Sequence, residues 1–135
     1  MKKVALFFLF MLSLNAYAEN WKYVIASDNQ EIYVDVDSIA TVGKYRRAWS
    51  IFNYSVSARA PGTKFDFISD RSLFFFDCKK RRYGRATQIL YSKPNGAGES
   101  DMTFSGKISD IKFEKVEKET IGENFFDFVC THSIN

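Results

Sequence analysis

Polar and apolar residues alternate with a period of two from Glu31 to Asp37, with Ile32, Val34 and Val36 on one side and Glu31, Tyr33, Asp35 and Asp37 on the other. Successive side chains of a strand point to opposite faces, so the pattern predicts a strand with Ile32, Val34 and Val36 on the core and Asp35 and Asp37 on the solvent side. Trp21–Ala26 reads as the strand before it, and Asp28-Asn29 as the turn between them. Ser38-Ile39 leads to a turn at Gly43. Lys44–Val56 then reads as a long strand, with Tyr45, Arg47, Trp49, Ile51 and Asn53 on one face and Arg46, Ala48, Ser50, Phe52 and Tyr54 on the other. Neither face is purely polar, which predicts cover on both sides at its middle. Ala60-Pro61-Gly62 marks a loop. Phe65–Cys78 and Arg81–Ser92 read as two further strands, and Ser100–Phe104 as a short one. Lys93–Gly98 reads as a flexible loop between them, and Ile108–Val116 gives no clear period.

At the end of the chain the period changes. Ile121, Phe125, Phe126 and Val129 fall at the spacing of one helical face. Thr120 and Glu123 make a capping-box pattern just before them. These signals predict a C-terminal helix over 121–132. Phe74 and Phe76 share strand parity with Cys78 and are expected in the core, while Phe75 is expected on the side away from the helix. An aromatic on that side suits either burial under another element or an exposed patch for a partner or a second copy of the chain, a homodimer.

The N-terminus carries Lys2 and Lys3, an apolar run from Val4 to Leu14, and Ala16-Tyr17-Ala18. This is the pattern of a signal peptide over residues 1–18, cleaved before Glu19. The run is too short for a stable membrane span, which needs about 20 apolar residues. Export would leave 117 residues as a single domain, 19–135, with 17 basic against 16 acidic side chains. A net charge of +1 on that domain gives no reason to expect a nucleic-acid partner. An exported chain meets an oxidising compartment, where Cys78 and Cys130, its two cysteines, are expected to form a structural disulfide. The fold class that follows is α+β, mostly β: an antiparallel sheet with a C-terminal helix linked to it by the disulfide.

Trp21-Lys22-Tyr23-Val24, Ile32-Tyr33-Val34-Asp35 with Ser38-Ile39, the Trp49 strand, Ser72–Cys78 followed by basic residues, and Thr120-Ile121-Gly122-Glu123 leading to Val129-Cys130 resemble, in order and spacing, the surface-adhesin protein E family. The resemblance spans essentially all of the mature chain. It implies an antiparallel sheet tied to its C-terminal helix, and a role in binding host extracellular-matrix or serum proteins at the bacterial surface. A surface-anchored member is expected to begin with a lipid-modified cysteine, and Glu19 stands there in this sequence. That departure supports an alternative: a periplasmic accessory or inhibitor domain that binds another bacterial protein.

The densest candidate binding feature is Lys79-Lys80-Arg81-Arg82, with Tyr83 and Arg85 beside it. Such a patch attracts sulfated polysaccharide, anionic lipid or an acidic protein surface. It equally suits a solvated turn that keeps a sheet edge from pairing. Lys44, Arg46 and Arg47 make a second, smaller cluster. Asp35, Asp37, Asp66, Asp70 and Asp77 are dispersed, and nothing in their spacing fixes a catalytic carboxylate pair. Asp77 is expected to bond to the basic run beside it. His132, the only histidine, lies near the chain end. There is no nucleophile elbow, glycine-rich phosphate loop or metal-ligand spacing. The sequence therefore reads as a non-enzymatic, exported binding domain without cofactor or metal, periplasmic, secreted or at the cell surface, whose partner is a protein or an anionic polysaccharide.

Overall fold

The computed structural model describes residues 19–134, so the segment expected to be a signal peptide, residues 1–18, lies outside the described residues. Eight strands form one antiparallel sheet: β1 (Trp21–Ala26), β2 (Gln30–Asp35), β3 (Ala40–Val42), β4 (Tyr45–Ala58), β5 (Phe67–Asp77), β6 (Arg82–Lys93), β7 (Ala97–Ser105) and β8 (Glu114–Lys115). The spatial order is β1-β2-β4-β5-β6-β7, with β3 added to β4 and β8 to β6. One helix, α1 (Ile121–Thr131), follows. Ile32 and Val34 are buried, as the alternation in β2 requires.

The helix covers one face of the sheet. Phe125, Phe126 and Val129 are its buried residues, and they meet Ile32, Val34, Ala48, Phe52, Phe74 and Phe76. Phe125 stands edge-on at 5.5 Å to Phe52, 5.1 Å to Phe74 and 5.2 Å to Phe76. Edge-to-face aromatic contacts add to the burial itself. Thr120 caps the helix, its hydroxyl accepting from the Glu123 N–H at 3.2 Å. At the other end Arg46 reaches from β4 and donates to the carbonyls of Val129 (2.7 Å) and His132 (2.6 Å). A cation at this end answers the helix dipole and two orphan carbonyls together. Cys78 and Cys130 are joined, with Cα atoms 5.7 Å apart.

The opposite face has no helix. Tyr23, Tyr33, Ile51, Arg71, Ile89 and Met102 form one row across six strands, with Trp49 and Leu73 in the next row. The two ends of this face are roofed. At one end Phe113 stacks on Tyr45 (5.2 Å), and Tyr45 meets Phe75 edge-on. Phe75 is thus buried on the side away from the helix, while Phe74 and Phe76 are buried beneath it. At the other end the β6–β7 turn folds back, and Asn95 and Asn53 bond to each other twice at 2.8 Å.

Three expectations need correction. The strand at Glu31 stops at Asp35, and Val36–Ser38 is a 3-10 turn. Asp35 is buried, not on the solvent side: its carboxylate accepts from the N–H groups of Asn20 (3.0 Å) and Asp37 (3.2 Å) and so ends the strand. The Lys93–Gly98 tract is no loose loop but a tight turn at Pro94–Gly96, with β7 already running from Ala97. The segment without a clear period, Ile108–Val116, holds a 3-10 turn (Ile108–Asp110) and β8, and it passes directly over Gly84. A Cβ there would lie 2.4 Å from Ile111 Cγ2 and 2.6 Å from the Lys112 carbonyl oxygen. Gly84→Ala should therefore lower the unfolding free energy by about 1–3 kcal/mol, read in urea denaturation.

Candidate functional site

The basic run sits at the end of the sheet where β5 turns into β6. Residues 78–81 make the turn, and Arg81 takes a positive φ of 50°. Asp77 organises it. Its carboxylate is buried, accepting from the Lys80 N–H at 3.1 Å and from Arg82 Nε at 3.2 Å. Burial alone would raise the Asp77 pKa. The Lys80 N–H, the Arg82 guanidinium and the charges of Arg82 and Lys44 outweigh burial and hold it below the ordinary carboxylate value. A carboxylate depressed in the folded state contributes stability above its unfolded pKa and loses it as pH falls through the folded one. Asp77→Asn should accordingly flatten the acid limb of stability below about pH 4, measured by thermal melting across pH.

The structure brings the run together unevenly. Arg81 turns onto the helix: it lies 5.0 Å over the Phe126 ring and pairs with Asp127 (3.2 Å) and Glu123 (3.4 Å). Arg82 serves Asp77 and lies over Phe113. Tyr83 is stacked on Phe76 at 5.9 Å, and burial is the first cause of its raised pKa. Arg85 lies 4.8 Å over Phe74, with a guanidinium nitrogen 3.7 Å from Asp70. Lys79 and Lys80 are exposed, with no acidic partner among the described residues.

Two cations from elsewhere join them. Lys44, on the β3–β4 turn, is near enough to act on Asp77. Lys115 lies opposite Arg82 in the β6–β8 pair, with Glu114 next to it opposite Tyr83. One end of the sheet thus carries Lys44, Lys79, Lys80 and Lys115 around the buried Asp77 carboxylate and its half-buried partner Arg82. Lys115 carried no sequence signal, because only the β6–β8 pairing brings it there. Of the second basic cluster, Arg46 is engaged by the helix and Arg47 is exposed on the uncovered face.

All the acidic candidates but Asp37 are occupied. Asp66 pairs with Arg59 at 2.9 Å. Asp70, fully buried, accepts from Tyr54 (2.5 Å), Ser72 (2.9 Å) and Gln88 (3.2 Å). Burial, with the Asp70 charge and hydrogen bond, pushes the Tyr54 hydroxyl well above its usual pKa. Asp37 is exposed within the 3-10 turn. His132 stacks on Phe128 at 5.9 Å.

The family model described as surface-adhesin protein E matches residues 21–131. The chain belongs to that family. Solved structures share the fold. Haemophilus influenzae protein E superposes with a TM-score of 0.61 at 17% identity, covering 80% of this chain and 83% of that one. A second crystal form of it gives 0.60 at 14% identity, covering 84% and 95%. Protein E from non-typeable Haemophilus influenzae gives 0.59 at 17%, covering 80% and 74%. No curated protein matches the sequence significantly. Membership of the surface-adhesin protein E family makes this an adhesin-like protein. Among the described residues, no helix is long and apolar enough to cross a membrane.

Proposed function

We propose that the chain is an exported, non-catalytic contact domain whose cationic sheet end holds host extracellular-matrix or serum proteins, or a sulfated polysaccharide. The observation that supports this most is the arrangement of Lys44, Lys79, Lys80 and Lys115 at one end. The arginines of the same run carry the fold, through Glu123, Asp127 and Asp77, while the lysines face solvent. Lysines of this kind act through long-range attraction and its screening by salt. Lys79→Glu together with Lys80→Glu should weaken binding to immobilised heparin at least about tenfold at low salt and leave the melting temperature nearly unchanged. Unchanged heparin binding by the double variant refutes the assignment. Reversal at Arg81 or Arg82 is a poorer test, because each is bonded inside the domain.

A second reading is favoured by one feature: both cysteines are spent in the disulfide, so neither serves as a lipid attachment point. On that reading the domain is a periplasmic accessory or inhibitor that binds another bacterial protein. The same cationic end would then meet an acidic partner inside the envelope.

A further inference from the structure

The uncovered face of the sheet holds a second constellation, centred on Arg71 of β5. Arg71, at the centre of the six-strand row, has its guanidinium 5.4 Å from the Trp21 ring and 5.7 Å from the Trp49 ring. Two indoles shield the faces of the cation and leave its N–H edge as the place for an acceptor. That edge is filled from within. One carboxylate oxygen of Glu19 accepts from Arg71 Nη2, and the other accepts from the Trp21 indole N–H at 3.0 Å. Arg71 Nε is buried and has no acceptor, so Glu19 satisfies only part of the fork. Glu19 itself is exposed, 52 residues away from Arg71, just ahead of β1.

The adjoining cleft, of about 460 Å³, is of small-molecule size. It is lined by Trp49, Arg71 and Glu19 together with Asp37 and Arg47. Asp35 also borders it, but its carboxylate is occupied by the Asn20 and Asp37 N–H groups. Asp37 and Arg47 are exposed, and among the described residues no counter-charge pairs with Arg47. The cleft thus offers a cation fork already holding a carboxylate, an indole wall, a free cation and a free hydrogen-bond acceptor.

We propose that this cleft is a receptor for a carboxylate-bearing sugar, a hexuronate, and that Glu19 is its internal occupant. The uronate carboxylate takes the place of Glu19 on Arg71 and on the Trp21 N–H. The ring packs against Trp49, its hydroxyls donate to Asp37, and Arg47 meets the carboxylate of the next sugar. A free hydroxyl donor distinguishes a uronate from an acidic peptide, whose side chains give Asp37 only repulsion. The site lies on the face away from α1 and does not depend on the basic run.

Trp21 and Trp49 are the only tryptophans of the chain, so intrinsic fluorescence reads this site directly. The experiment titrates the mature chain with tetragalacturonate, with maltotetraose as the neutral sugar and hepta-glutamate as the acidic peptide. The expected result is a saturable emission change with tetragalacturonate alone. Removing the internal occupant frees the receptor, so Glu19→Gln should bind about threefold tighter. Arg71→Lys keeps the charge but loses the fork, and should bind about tenfold weaker. A Glu19–Arg71 pair that is only structural would give Glu19→Gln a lower melting temperature and no gain in affinity, which overturns the proposal. Equal responses to hepta-glutamate or to maltotetraose overturn it as well. If Arg71→Lys does not fold, the Glu19→Gln titration decides alone.

Discussion

Replacing Cys78 and Cys130 together by alanine should lower the unfolding free energy by about 4 kcal/mol, the chain-entropy value for a loop of this length. The bond closes 52 residues of chain, from the end of β5 to the last turn of α1. Its loss frees the unfolded chain and leaves the folded contacts largely in place. Phe125, Phe126 and Val129 stay packed on the sheet, and Arg46 still holds the helix carbonyls. The double variant should therefore fold, with a nearly native far-ultraviolet dichroism spectrum and a urea midpoint shifted far to the left. A shift worth less than about 1 kcal/mol would mean that the bond closes a contact which packing already determines.

Phe125→Ala should cost about 3–5 kcal/mol with the disulfide intact. Phe125 is almost wholly buried and touches Phe52, Phe74, Phe76 and Tyr83, which come from three strands. Its removal leaves a ring-sized void that the sheet cannot close, because β4, β5 and β6 are locked in register through their backbones. The helix would remain tethered at Cys130, so the loss separates packing from the covalent link. Phe128→Ala is the comparison: its side chain is half-buried and should cost clearly less in the same urea denaturation. Equal losses at the two positions would contradict the packing described for the helix.

The elements that carry a period were legible in the sequence. Ile32 and Val34 alternate, Phe125 and Val129 recur at helical spacing, and Thr120 announces the helix it caps. Two cysteines admit one intramolecular pairing. Local polar chemistry was harder. Asp35 continues the alternation of β2, and nothing in a period of two reveals that its carboxylate turns inward to hold Asn20 and Asp37. Pro94–Gly96 has the composition of a loose loop, yet the reciprocal bonds of Asn53 and Asn95, 42 residues apart, make it a tight one. The basic run shows the limit most clearly. Its charges are local, but the partners of Arg81 at Glu123 and Asp127 lie 42 and 46 residues away. Which cations face solvent is a property of the folded chain. The same holds for Arg71, whose indoles come from β4 and the start of β1 and whose carboxylate comes from the segment that leads into β1.

Protease treatment of intact cells, with the protein followed by immunoblot, asks most directly whether this scaffold meets the host. A contact domain displayed outside the cell is cut or shed under protease levels that spare periplasmic markers. Full protection on intact cells, with digestion only after the envelope is opened, would contradict display at the surface and leave the partner inside.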